Sequence, residues 1–204
     1  MRQYDAAMLV EGSIRWQITE DCPWDLLLAL AFRDLGGLTD VCEEQIPPVD
    51  PPLTPVDIAG LDRDALAAQW RGWWAGIVRR ATRPFISQVR PPHFEVFDRA
   101  LELQELVYLS YDQAMMWAEE RHDEYQRAVD ARAHPLADAY ELVQRRQFEL
   151  RRQTGSFRLD LEVLPVRDAG AWVVAPDTVI ISERLRDNPR AFKEWLTPVV
   201  IALV

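Results

Sequence analysis

Between Phe157 and Val204 strand, turn and helix signals follow one another so closely that few arrangements of the chain are open. Phe157, Leu159, Leu161 and Val163 alternate with Arg158, Asp160 and Glu162, so a strand here buries the first set and solvates the second. After Asp168-Ala169-Gly170 come two β-branched runs, Trp172-Val173-Val174 and Thr178-Val179-Ile180-Ile181. Between them Ala175-Pro176-Asp177 reads as a turn, because proline presets φ and aspartate bonds back to the backbone. A return helix opens at Asn188-Pro189, where asparagine caps free amides and proline at the first helical position forfeits no hydrogen bond. Two or three strands cannot hide their own apolar face, so helices from upstream are needed to cover it. The expected class is α+β and predominantly helical: three or more helices packed on a small antiparallel sheet formed mainly by the C-terminal third, with residues 157–204 as a β-β-(β)-α tail.

The covering helices are legible from their apolar periodicity. Behind Asp62 as cap, a helix from about Arg63 to Ala81 aligns Leu66, Trp70, Trp73, Trp74 and Ile77 on one face. Aromatic residues at that spacing read as core before they read as a binding surface, each burying ~150–250 Å². Gly72-x-x-x-Gly76 leaves a neighbouring stripe bare for close approach of another helix. Arg79, Arg80 and Arg83 stand at the end of the helix, where cations complement its dipole.

After Pro91-Pro92, residues 93–133 carry the longest helical pattern. One stripe holds Phe97, Leu101, Tyr108, Tyr111, Met115, Ala118, His122, Tyr125 and Val129, and an adjoining one Val96, Ala100, Leu103, Val107, Ala114 and Trp117, so its first half is expected to be widely buried. Pro135 interrupts it. A further helix from Leu136 to about Gln153 then faces Leu136, Tyr140, Val143, Gln147 and Leu150 inward. Its last turns gather Arg145, Arg146, Arg151 and Arg152. A basic groove shared with residues 79–83 would want aromatics for base stacking, and only Phe148 is close.

Ahead of these elements, Tyr4 to Val10 is apolar without clear period, and Ile14, Trp16 and Ile18 alternate with polar neighbours as a strand that could join the sheet. Asp21-Cys22-Pro23 opens a short apolar helix, Trp24 to Leu35, closed by Gly36-Gly37. Pro47, Pro48, Pro51, Pro52 and Pro55 make residues 45–57 an extended connector or surface arm, and Ile46, Val49, Leu53 and Val56 favour the arm. A chain of 204 residues, 49% apolar, suits a single domain over residues 1–204.

Charge says most about partners. The net charge is −10, which disfavours nucleic acid and anionic membranes and favours a basic protein partner. Residues 1–66 carry four arginines against thirteen acids, residues 67–92 five arginines and no acid, and residues 93–140 a net of −7. A homo-oligomer is also compatible with the sequence. Cys22 and Cys42 form neither a CxxC pair nor a disulfide framework, so reduced thiols and a cytoplasmic setting are expected. The opening residues lack a secretion signal, and the apolar stretch from Trp24 to Phe32 is too short to span a bilayer.

Catalytic patterns are few. Glu119-x-x-His122 matches half of a di-metal carboxylate site, a weak metal candidate, since such a site needs two of these motifs and further glutamates. The other histidines, His93 and His134, have Arg90 and Ala131 where that glutamate belongs. Asp160 and Glu162 share a strand face and could hold a divalent cation with Asp177. A restriction-type nuclease would also want an acid two residues before lysine, but Ala191 stands there before Lys193. No phosphate-cradling loop, nucleophile elbow or zinc-protease motif occurs, so no cofactor is expected and no catalytic residue is assigned.

The expected function is that of a non-enzymatic acidic interaction protein, akin in role to an immunity, inhibitor or accessory protein. Its partner-binding candidates are Glu119, Glu120, Asp123 and Glu124, which recur on successive turns where the apolar stripe narrows. The alternative is a small bacterial enzyme with active-site residues scattered in sequence, less favourably a metal-dependent one using Glu119 and His122 or Asp160 and Glu162.

Overall fold

Strand pairing gives the C-terminal third a different partner from the one its sequence suggests. The computed structural model describes residues 9–12, 15–42, 44–79, 89–132 and 136–204. Strands β1 (Leu9–Gly12), β2 (Trp16–Asp21), β3 (Phe157–Leu164), β4 (Ala171–Ala175) and β5 (Thr178–Ser182) form one sheet in the order β1-β2-β3-β5-β4. The outer pairs, β1 with β2 and β4 with β5, are antiparallel. The inner pairs, β2 with β3 and β3 with β5, are parallel.

The α+β class and the helical majority hold, but the sheet is mixed and five-stranded where a small antiparallel one was expected. Central position also changes what β3 buries. With β2 on one side and β5 on the other, Asp160 and Glu162 are buried along with Leu159, Leu161 and Val163. The expected solvated face survives only at Arg158. Strands buried on both faces lose the clean alternation that one-sided sheets show. Ile14 and the residues before Leu9 lie outside the described residues; the strand expected around Ile14 to Ile18 is present as β2.

By their contacts the residues divide into two compact units, one comprising 1–22, 125–164 and 168–204 and the other 23–124 and 165–167. The first unit holds the sheet and the helices α4 (Ala137–Leu150), α5 (Glu183–Arg186) and α6 (Pro189–Leu203). The opening of α6 follows its sequence signal: the Asn188 side chain accepts the Ala191 N–H at 3.1 Å and Pro189 takes the first turn. Phe192, Leu196 and Val200 then bury one edge of the helix. In α4, Leu136, Ala139, Leu142 and Val143 are buried, whereas Tyr140, expected inside, is 42% exposed and meets the Trp16 ring at 5.9 Å. The helix stops at Leu150, where Arg151 adopts φ 51°.

The second unit is built around α1 (Trp24–Leu35), every residue of which is buried. Its end is a Schellman motif: Gly37 at φ 62° donates to the Asp34 carbonyl at 3.0 Å, and Leu38 to that of Arg33 at 2.9 Å. Against it packs α2 (Arg63–Val78), capped as expected by the Asp62 carboxylate, which accepts the N–H groups of Asp64 and Ala65. Trp70 and Trp74 are buried and stacked, with centroids 5.4 Å apart and planes at 14°, and Trp70 Nε1 donates to the Ala29 carbonyl at 2.8 Å. Trp73 is half-buried between Phe32 and the edge of Phe97. The tryptophans are core, as expected.

Among the described residues nothing lies within 4 Å of where a Cβ on Gly72 would be, so no helix approaches closely at that position. The last turn assigned to this helix differs too: α2 ends at Val78, and Arg80 and Arg83 lie outside the described residues.

Residues 45–57 make no regular element, yet their backbone is tied down within this unit. Arg33 donates to the carbonyls of Ile46 and Pro47 at 2.8 and 2.7 Å, and the Val49 N–H donates to Asp34 Oδ2 at 2.7 Å. Val56 reaches the Leu35 carbonyl, Asp50 that of Pro165, and Trp117 Nε1 that of Pro51. Helix α3 (Leu101–Ala131) starts well after residue 93 because the chain first makes a 3-10 turn, Glu95–Phe97, behind Phe94 at φ 48°. The Gln104 side chain closes that turn by donating to the His93 and Phe94 carbonyls and to Asp98. Among the described residues no helix is long and apolar enough to cross a membrane.

Candidate interaction face

Helix α3 carries eight carboxylates against two arginines, a net of −6, more than half the charge of the whole chain. Its buried side holds Leu103, Leu106, Val107, Ala114, Trp117 and Ala118, with His122, Tyr125 and Val129 beyond. All four partner-binding candidates, Glu119, Glu120, Asp123 and Glu124, are exposed on the opposite side. Arg121 lies along the helix with 12% of its side chain exposed, 3.4 Å from Glu120 and 3.0 Å from Glu124. One guanidinium is thus shared between two carboxylates, and the surface keeps a negative balance.

The first half of α3 is less widely buried than its two apolar stripes predict. Leu101 is 66% exposed, Tyr108 62%, Leu109 49% and Met116 64%. Leu101 and Tyr108 were expected inside; Leu109 and Met116 belong to neither stripe. The reason is geometric, because a helix of 3.6 residues per turn cannot turn two adjoining stripes inward along its whole length unless neighbours wrap it on both sides. A signal for this side was present, in that apolar residues there interleave with Glu105, Asp112, Glu119 and Asp123 at three- and four-residue steps.

The metal candidates differ in exposure. His122 is 5% exposed with its ring 4.6 Å from that of Trp24, whereas Glu119 faces solvent. His93 lies in the exposed turn before α3, and His134 lies outside the described residues. Asp160 accepts the Thr19 hydroxyl at 2.6 Å and Arg158 Nε at 2.8 and 2.9 Å, so its charge is matched on the same strand, and that bond holds the Arg158 guanidinium above its ordinary pKa. Asp177 meets Asp160 through the backbone, its carbonyl accepting the Asp160 N–H at 2.7 Å. Among the described residues no group of three or more His, Cys, Asp or Glu side chains is placed to hold a metal ion. Of the arginines on α4, Arg146 pairs with Glu149, and Arg152, just beyond the helix, donates to the Val204 carbonyl.

A second charged constellation, unannounced by sequence, sits in the first unit. The Glu20 carboxylate is fully buried and accepts Arg186 Nε at 2.6 Å and an Arg132 NH at 3.0 Å; Arg132 also pairs with Asp187, and Arg186 lies 4.3 Å over the Phe192 ring. Burial pushes the Glu20 pKa up, against the pull of the two guanidiniums. Every member has a protein partner, so the cluster reads as an internal tie between β2, the residue after α3 and α5.

Both thiols are buried. Cys22 is fully buried, and burial, with Glu183, Asp21 and Glu162 nearby, raises its pKa well above the ordinary thiol value. Burial and a hydrogen bond to Glu44 raise that of Cys42 to about 11. The thiolate is the nucleophile, so in the native protein at pH 7 neither cysteine is expected to react with an aromatic disulfide reagent, and both should react in denaturant. Release of one equivalent of chromophore before unfolding would contradict this placement.

Comparison with protein-family models, with curated proteins and with solved structures finds no match.

Proposed function

We propose that the protein acts by binding a basic protein partner through the outer face of α3, as an inhibitor, immunity or accessory protein does. One observation carries the reading: Glu119, Glu120, Asp123 and Glu124 are all exposed on successive turns, with Arg121 lying back among them. Such a face attracts a cationic surface over a distance set by screening, ~8 Å at physiological ionic strength, and so governs the association rate more than the final affinity. It contributes little to folding, because exposed ion pairs are worth about 0–1 kcal/mol.

Reversal of Glu120, Asp123 and Glu124 to lysine is therefore expected to leave the melting temperature nearly unchanged. A partner retained by the wild-type chain from lysate at low salt should be lost from this variant, and its association rate should fall several-fold, converging with wild type as salt rises. Retention of the same proteins with the same kinetics at low salt would dispose of the reading.

A further inference from the structure

The outer face of α3 has an order that a merely acidic surface does not need. Residues 105, 109, 112, 116, 119 and 123 are exposed and follow one another at alternating steps of four and three, the spacing of a helix-packing seam. Read along that line they are Glu105, Leu109, Asp112, Met116, Glu119 and Asp123, so acid and apolar side chains alternate until the line closes on two acids. Tyr108 and Leu101, both more than half exposed, widen the apolar part on one flank, and Glu120 adds charge on the other. At 1.5 Å per residue the seam runs for ~27 Å.

We infer that this seam receives an amphipathic basic helix laid lengthwise along it, apolar side chains against Leu109 and Met116 and lysine or arginine against Glu105, Asp112 and Glu119. The inference rests on the proposed binding of a basic partner and names the element of that partner that is recognised. Charge selects the occupant. A second copy of α3 would bring another net charge of −6 against the first, and an anionic membrane or a nucleic acid would be repelled in the same way. A disordered basic tail would be attracted by the carboxylates but gains nothing from Leu109 and Met116 in line with them or from Leu101 and Tyr108 on their flank. A helix carrying both kinds of residue at the same three- and four-residue steps satisfies both, with the acid layers fixing its register and rejecting acidic helices.

The test uses the full-length protein and two synthetic 21-residue peptides of equal positive charge, both with lysines at alternate seam positions; the first has leucine at the remaining seam positions and the second glutamine. At physiological salt the leucine peptide is expected to bind about tenfold or more tightly than the glutamine peptide, a difference of the size two buried apolar contacts supply. L109Q/M116Q should abolish that preference while leaving the affinity for the glutamine peptide unchanged, and E105K/D112K should weaken both peptides. These positions are exposed, and an unaltered thermal transition confirms the fold of each variant. Equal affinity for the two peptides, or an undiminished preference in L109Q/M116Q, would overturn the seam while leaving the charge-based reading in place. Failure of both peptides to bind even at low salt would overturn the two together.

Discussion

Trp70→Ala is expected to cost ~3–5 kcal/mol of folding free energy, read as a lower midpoint of urea unfolding. The indole is fully buried, stacks on Trp74 and donates to the Ala29 carbonyl, so its removal leaves a cavity at the junction of α1 and α2 and forfeits that hydrogen bond. Trp74→Ala should come close to the same loss, and Trp73→Ala should cost less, because Trp73 is half-buried. Tyr108→Ala, on the exposed side of α3, is the control and should shift stability by no more than about 0.5 kcal/mol. A Trp70→Ala protein that unfolds at the wild-type midpoint would remove this indole from the core.

Arg33→Ala should be nearly as damaging, ~3–5 kcal/mol, because it breaks a buried ion pair and leaves the Asp34 charge uncompensated. Arg33 has no solvent exposure, and its guanidinium spreads over three partners: Asp34 at 2.6 Å and the carbonyls of Ile46 and Pro47. Lysine keeps the charge but not the planar fork, so Arg33→Lys is expected to recover only a minor part of the loss. The position of the lesion gives a second readout. With the clamp gone, the segment around Pro47 to Val56 should be cut first in limited proteolysis, and a digestion pattern identical to wild type would show that the segment is held without Arg33.

What the sequence made legible was local. The Asn188 and Asp62 caps and the Gly36-Gly37 stop lie within a few residues of the backbone groups they satisfy, and each was readable from spacing alone. The pairing of β2 with β3 was not, since nothing near Trp16 or Phe157 states which strand will lie alongside. Parallel neighbours on both sides then overrode the alternation of β3 and buried Asp160 and Glu162. Glu20 shows the same limit: its partners come from positions 132 and 186, and no local pattern marks a glutamate as the buried member of an ion cluster. On α3 the charged positions are legible because charge is written residue by residue. The exposure of Leu109 and Met116 is not, because an apolar residue outside a core-facing stripe carries no local mark of where it points.

The β2–β3 pairing also sets an order of events. Thr19 and Asp160 are hydrogen-bonded partners 141 residues apart, and residues 23–124 of the second unit lie between them in the chain. During synthesis β1 and β2 emerge before α1, α2 and α3 and have nothing parallel to join until β3 is made, so they must wait while those helices pass out of the ribosome. The intervening residues have their own buried helix and can consolidate in that interval, shortening the effective loop that separates the waiting strands. Sheet closure, with its long loop, is therefore expected to be the late step of folding.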